Sequence, residues 1–222
     1  MVKVTVNMAP KMKLQKPNIL TELPSMHFED IHYQEEPFLD NGRISNCTID
    51  REKMDKVNFS QMIFQNVIFQ DVSFQNIELT DVIFEHCDLS NADLMGASIH
   101  RVEFNDSKLL GVNLAEANIG NVLFQHCNLN LSSFSYGSLK QVRFEESSLR
   151  NADFYECRFN KLKFDRCDLD EVIFSLTSLN GTDISSSTFE RITVALEDLS
   201  GCEVSPHQAI GFASLLGLKI KE

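Results

Sequence analysis

From Leu39 to Val204 every fifth residue is apolar, at 34 consecutive positions, and the tetrads between them are short and mostly polar. With 43% hydrophobic residues, such a run at one fixed phase has a chance probability on the order of 10⁻¹². A period of five fits neither the 3.6 of a helix nor the 2.0 of a strand. The pattern therefore predicts a chain that turns a corner every five residues and returns each central side chain to one interior. A second ladder, two residues earlier, carries slimmer groups and begins Val57, Met62, Val67, Val72, Ile77, Val82, Cys87, Ala92 and Ala97. With the repeat written i−2 to i+2, positions i and i−2 point inward and i−1, i+1 and i+2 face water.

Side-chain identity repeats better at twenty than at five. One column reads Phe64, Phe84, Phe104, Phe124, Phe144, Phe164, and another alternates Val67, Cys87, Ser107, Cys127, Ser147, Cys167. Four pentapeptides per coil follow, with like residues stacked about 4.8 Å apart, the spacing of hydrogen-bonded strands.

Ala92-Asp93-Leu94, Ala117-Asn118-Ile119 and Ala152-Asp153-Phe154 resemble the Ala-Asp/Asn-Leu-X-X pattern of the pentapeptide-repeat proteins. The resemblance implies an all-β fold, a right-handed quadrilateral parallel β-helix, in keeping with the handedness of parallel crossovers. Three parts are expected: residues 1–38 as an N-terminal extension and cap, 39–204 as the β-helix, and 205–222 as a C-terminal helix and dimerisation tail. The repeat makes just over eight coils, a rod of about 40 Å. All five prolines lie outside it, as a continuous ladder of amides requires. No run of apolar residues is long enough to span a membrane, and the start has no apolar signal-peptide core, which points to a cytoplasmic protein.

At the N-terminus, Val2, Val4 and Val6 alternate as a strand would, and Met8 and Met12 are alternative starts. Phe28, Ile31 and Tyr33 are expected to cap the first coil. Lys3, Lys11, Lys13 and Lys16 precede the first acid, Glu22; an extension outside the native fold or a cap is favoured over a functional basic tail.

Candidate chemistry is absorbed by the register. Cys47, Cys87, Cys127, Cys157, Cys167 and Cys202 all fall at i−2, where free cysteine acts as a small hydrophobe, and unpaired interior thiols suit a reducing compartment. His86 and His126 point outward two coils apart, about 10 Å, too far to share a zinc. Gly42, Gly96, Gly111, Gly120 and Gly137 sit singly, as corner residues would. No nucleophile motif, phosphate loop or CxxC occurs. The chain reads as a non-enzyme with no catalytic residue, cofactor or metal.

Charge then becomes the variable that distinguishes partners. The net charge is −12, and the repeat carries all of it, 26 acids against 14 bases. Direct nucleic-acid binding is disfavoured, and basic partners are attracted. One net charge per about 3 Å of rod compares with one per about 1.7 Å of duplex DNA, so the rod suits a positive groove built for DNA. Solubility and protection against edge association is the competing explanation of the acids. The side centred on Phe74, Leu94, Leu114, Phe134, Phe154 and Phe174 presents Asp93, Glu116, Asp153 and Glu156, with no lysine or arginine from Ser73 to Leu196. A strip expected to adjoin it presents Glu85, Glu103, Asp106, Glu145, Glu146 and Asp165, partly offset by Arg143, Lys163 and Arg166.

Ser205-Pro206 predicts a helix start, the run His207–Leu216 a short helix, and Gly217 its stop. Besides capping the open end, this helix is expected to join two chains into a homodimer. The interface would use Ile210, Phe212, Leu215 and Leu216 with Ile173, Leu176 and Leu196 on nearby coils, giving a rod of about 80 Å. The tail Gln208-Ala209 through Leu216-Gly217 to Ile220 resembles the quinolone-resistance (Qnr-type) branch of the family. That resemblance implies a dimeric DNA mimic that binds DNA gyrase or topoisomerase IV and protects them from fluoroquinolones. Loops that interrupt the coils in familiar Gram-negative members are absent here, so any protection works without them, and inhibition of the enzyme enters as an outcome. The alternatives are an acidic rod for another basic partner and a structural module without a dedicated partner.

Overall fold

Returning to one interior every five residues requires a sharp bend at a fixed place, and that place is i+2. In the computed structural model, which describes residues 12–219, every i+2 residue from Asn41 to Gly181 has φ between 48° and 73°. The left-handed region costs most L-residues about 1–2 kcal/mol and is most accessible to Asn, Asp and Gly. Asn46, Asp71, Asn91 and Asp106 fit that preference, but Arg51, Leu131 and Tyr136 adopt the same angle, so coil geometry overrides the residue's own preference. The glycine expectation is corrected accordingly. Gly96 and Gly111 are left-handed corners, as are Gly181 and Gly201, but Gly42, Gly120 and Gly137 are not. At Gly42 a Cβ would collide with Met26 Sδ, so close approach of another side chain explains that glycine.

Twenty residues close one coil. Strands Phe38–Ser45, Asn58–Gln65, Glu78–Glu85, Ser98–Asn105, Asn118–Gln125, Ser138–Glu145 and Arg158–Asp165 form one seven-stranded parallel sheet. Their register steps by twenty throughout, as in Val82↔Val102 and Phe84↔Phe104. This sheet wraps two sides of the solenoid; on the others most coils are joined by single bridges such as Asp88↔Lys108 and Asp93↔Asn113. We number the sides in chain order by their central residues in one coil: first Phe84, second Leu89, third Leu94, fourth Ile99. The corners flanking the third side are mostly tight turns, with Ala92 N–H donating to Leu89 O and Ala97 N–H to Leu94 O. Small i−2 residues fit behind these turns.

Inside, Phe84, Phe104, Phe124 and Phe144 stack with centroids 4.8–4.9 Å apart, matching the coil spacing. Phe134 and Phe154, 4.7 Å apart, form a second stack from the third side. The two stacks meet edge to face at the centre, Phe134 to Phe144 being 5.9 Å at 88°, a geometry favoured by the ring quadrupole.

Both ends are covered. Phe28 and Ile31, on the 3-10 helix Phe28–Tyr33, are buried over the first coil, with Phe28 about 6 Å from Phe59 and Phe74. Tyr33 is instead 85% exposed and caps nothing, because it lies at the far end of that helix. At the other end the left-handed corners lapse after Gly181, except at Gly201. There the helix Pro206–Phe212 begins at Ser205, whose side chain accepts from the Gln208 N–H. Buried Gln208 Nε2 donates to the Ile184 and Ser187 carbonyls at 2.9 and 2.8 Å, pinning the helix to the open end. The α-helix is shorter than predicted: Ala213–Leu216 is 3-10, and Gly217 turns at φ +73°.

The start of the chain departs most from expectation. Residues 12–20 form neither strand nor helix, yet they lie along the corner between the fourth and first sides, hydrogen-bonded to Gln61, Asp81, Asn121 and Gln141. They are a strap on the rod; the stretch before Met12, expected as an extension outside the native fold, lies outside the described residues. The Val2, Val4, Val6 strand, the Met8 start and Lys3 and Lys11 fall outside the described residues.

Replacing fully buried Phe104, stacked on both faces, by alanine is expected to lower unfolding free energy by about 3–5 kcal/mol in urea titration. Leu131→Gly, at an exposed left-handed corner, should instead stabilise by about 1 kcal/mol.

Candidate functional site

The interior is packing and not chemistry. All six cysteines are free thiols at i−2, with Cys87, Cys127, Cys157 and Cys167 buried. Burial pushes the thiols of Cys87 and Cys167 up to about 11 and those of Cys127 and Cys157 up to about 12, which removes the thiolate needed for nucleophilic or redox work. The alternation of cysteine with hydroxyl residues has a structural cause. Ser107 Oγ accepts from the Cys87 N–H at 3.0 Å and donates to the Asn105 carbonyl at 2.8 Å, and Ser147 does the same for Cys127 and Glu145. The hydroxyl thus satisfies an amide at this wide corner. His86 and His126 are exposed, as the register requires, and His126 Nδ1 is 3.3 Å from Glu146. Among the described residues no cluster of His, Cys, Asp and Glu is arranged to hold a metal, and no helix is long and apolar enough to cross a membrane.

The acidic residues divide differently from expectation. Chain order places the first and third sides opposite each other, separated by the second and fourth, and their phenylalanines meet across the core. The two strips therefore do not adjoin: one flat partner surface reaches Asp93, Glu116, Asp153 and Glu156, or Glu85, Glu103, Asp106, Glu145 and Glu146, but not both sets. Sequence counting assigned residues to sides correctly and misjudged only which sides share a corner.

On the third side the four acids have two roles. Asp93 accepts from Gln75 at 2.6 Å, Asn113 at 2.8 Å and Ser73 at 3.2 Å, stitching coils together. Burial raises its carboxyl pKa, but these hydrogen bonds outweigh that effect and leave it below the usual value. Asp153 accepts from the Ser135 hydroxyl and the Tyr155 N–H. Glu116 and Glu156 are left-handed corner residues, exposed, and their side chains have no hydrogen bond or ion pair among the described residues. They stand two coils apart, about 10 Å, with exposed Tyr136 between them. The free charge of this side is concentrated along that corner.

The first side is largely compensated. Arg143 lies 2.6 Å from Glu145 and 2.9 Å from Asp165, Arg166 pairs with Glu146, Lys163 is 3.3 Å from Asp183, and Glu85 accepts from Gln65. Only Glu103 and Asp106 of the six predicted carboxylates there are without a side-chain partner among the described residues.

At the C-terminal end Leu196, Leu199, Val204, Ala209, Phe212 and Leu216 line an open apolar groove of about 220 Å³. Ile210, Leu215, Leu216, Leu176, Leu196 and Ile173 are 36–63% exposed. Phe212 is half-buried with its ring 5.7 Å from Phe189, so it belongs first to the chain's own cap. Sequence reading missed Gln61, Asp81, Asn121 and Gln141 as a group. Their spacing of twenty or forty, always at i+2 and always an amide or carboxylate, was the available signal.

A family model described as "Pentapeptide repeat region" matches residues 77–154 and 97–174. No curated protein sequence matches. Among solved structures, a trypsin-treated form of QnrB1, described as a plasmid-mediated fluoroquinolone resistance protein, is similar at 20% identity over 83% of this chain and 99% of that one, TM-score 0.48. HetL, a pentapeptide repeat protein involved in heterocyst differentiation regulation from the cyanobacterium Nostoc, is similar at 16% identity over 76% of this chain and 83% of that one, TM-score 0.34.

Native protein treated with a thiol-reactive chromogen at pH 7.5 is expected to label at most the half-buried Cys47 and Cys202, with all six cysteines reacting after denaturation. Rapid native labelling at Cys87, Cys127, Cys157 or Cys167 would contradict their assignment to packing.

Proposed function

We propose, for a chain that belongs to the pentapeptide-repeat family, that it is an acidic docking rod which mimics DNA toward a type II topoisomerase, DNA gyrase or topoisomerase IV, and thereby counters fluoroquinolones or inhibits the enzyme. The observation that carries this reading is the third side, which has no lysine or arginine from Ser73 to Leu196 and displays unpaired Glu116 and Glu156 at its corner. A net −12 along about 40 Å gives the rod roughly half the linear charge of a duplex. No inserted loop interrupts the coils, so the charged sides and the ends are the surfaces available to a partner. The opposite side, compensated by Arg143, Lys163 and Arg166, takes a supporting role at most.

The C-terminal groove and its exposed rim support a second element of the reading, a homodimer joined end to end that doubles the acidic rod to about 80 Å. An exposed apolar rim around an apolar groove is the usual sign of a protein contact.

Gyrase supercoiling and drug-stabilised cleavage, assayed with and without the protein at low salt, test the reading. An effect on either assay is expected, and Glu116→Lys/Glu156→Lys should weaken it at least about tenfold, whereas Glu103→Lys on the opposite side should leave it within about twofold. Absence of any effect or binding removes topoisomerase as the partner; equal losses from both variants remove the third side as the docking surface. Ile210→Asp/Leu216→Asp is expected to shift sedimentation from dimer to monomer while leaving the β-rich circular dichroism unchanged.

A further inference from the structure

Among the described residues, the hydrogen bonds that hold the strap to the rod all use strap main-chain atoms, while its Leu14, Pro17 and Ile19 side chains are half-buried. Asn121 Oδ1 accepts from the Gln15 N–H at 3.1 Å, and Asp81 Oδ1 accepts from the Asn18 N–H at 2.8 Å. Gln61 Nε2 donates to the Asn18 carbonyl at 3.2 Å, and Gln141 Nε2 donates to the Lys13 carbonyl at 3.3 Å. All four rod residues are left-handed corners with φ between 51° and 58°, which line up as a column pointing away from the core. None of these bonds uses a strap side chain.

The spacing explains how a column of coils can hold an extended chain. Asn121 and Asp81 are two coils apart, about 9.6 Å, and Gln15 and Asn18 are three residues apart, about 9–10 Å when extended. Three strap residues therefore keep step with two coils, and that match depends on no particular side chain. Burial shows what the strap covers. Ile63 points outward at i−1 yet is 8% exposed, whereas Ile68, at the same position on the next side, is 48% exposed. Asp81 and Asn121, at corners that elsewhere are mostly open, are 5% and 8% exposed. The Arg101 guanidinium, 2.6 Å from Asp81, holds that carboxylate in place.

Charge indicates which extended chains suit the strip. Residues 12–21 contain Lys13 and Lys16 and no acid; within the column the Arg101 charge is offset by Asp81, and on the flanking first side Glu103 is without a side-chain partner among the described residues. A segment held by so few bonds lies at the low end of local stability, so it opens without unfolding the coils. We propose that the corner column Gln61, Asp81, Asn121 and Gln141 is a docking strip for extended main chain, occupied in cis by residues 12–20, and that a lysine-bearing extended segment of a partner protein takes it in exchange. Main-chain hydrogen bonds supply affinity, as when a peptide joins a sheet edge, and Glu103 beside the strip favours lysine-bearing segments. The resident strap sets the threshold, since a partner binds only the fraction of molecules whose strap is open.

The strap can be loosened from its own side in the full-length protein. Gln15→Pro/Asn18→Pro removes both donated N–H groups and leaves every strip side chain in place. The probe is a fluorescent peptide with the sequence of residues 12–20, followed by anisotropy. The variant should bind it at least tenfold more tightly than the unaltered protein, and amide exchange across residues 12–20 should accelerate at least tenfold. A probe N-methylated at the Gln15 and Asn18 amides should lose binding, as should Asn121→Ala placed in the loosened variant, and a probe with both lysines replaced by glutamate should bind several-fold more weakly. In the otherwise unaltered protein, Asn121→Ala alone should accelerate exchange at the Gln15 amide. Binding no tighter in the loosened variant, equal binding of the methylated probe, or unchanged exchange at Gln15 would overturn the proposal.

Discussion

The whole structure depends on one backbone constraint, a left-handed residue at every fifth position that lets each coil lie in register on the next. At a corner such as Asn91 or Glu116 the chain turns, and the corner's own amide meets a carbonyl nineteen residues on in sequence and one layer away in space, that of Leu110 or Ser135. The conformational cost of such residues recurs at every corner and is offset by the coil-to-coil bonds and the stacked core. Regularity is also what makes the phenylalanine columns possible, because ring centroids 4.8 Å apart require successive coils to be superimposable. Where the corners lapse after Gly181, the helix Pro206–Phe212 must close the end, and Gln208 supplies the bonds that the missing next coil would have provided.

The same constraint separates residues that hold the fold from residues free to vary. Positions i and i−2 are confined by volume, and i+2 is confined by φ but hardly by side chain, since Arg51, Leu131, Tyr136 and Glu156 all occupy it. A column of i+2 residues is therefore a line on which sequence can place charge, amide or apolar groups at coil spacing without altering the coil. Unpaired Glu116 and Glu156 on one corner and the strap-binding Gln61, Asp81, Asn121 and Gln141 on another are two uses of that freedom.

This division explains what could be read from sequence. The repeat, the four-sided coil, the inward cysteines and outward histidines follow from counting, because local geometry is identical at each step. The opposite placement of the two acidic strips was available from the same count: Phe84 and Leu94 are two corners apart, not one. Tyr33 and Phe212 were harder to place, since both belong to end segments where no repeat dictates direction. The strap was hidden for a further reason. Gln15 and Asn18 contact residues more than sixty positions away through main-chain atoms that every residue possesses, so nothing in their identity announces the contact.

A solenoid with a filled interior acts through its outside, and the outside here is not uniform. The third side is uninterrupted and acidic, the first is internally compensated, the corner beside it is already covered by Lys13–Asn18, and the C-terminal end is apolar and open. These surfaces differ in range as well as chemistry. Charge at Glu116 and Glu156 acts over about 8 Å at physiological ionic strength, which suits the approach and orientation of a large basic partner. Hydrogen bonds from Asn121 or Gln61 act only at contact and only on a chain that is already extended. In the two proposals, orientation along the acidic side and capture at the strapped corner are successive kinds of recognition, and the strap, which carries lysines and covers Asp81 and Asn121, bears on the second while leaving the first exposed.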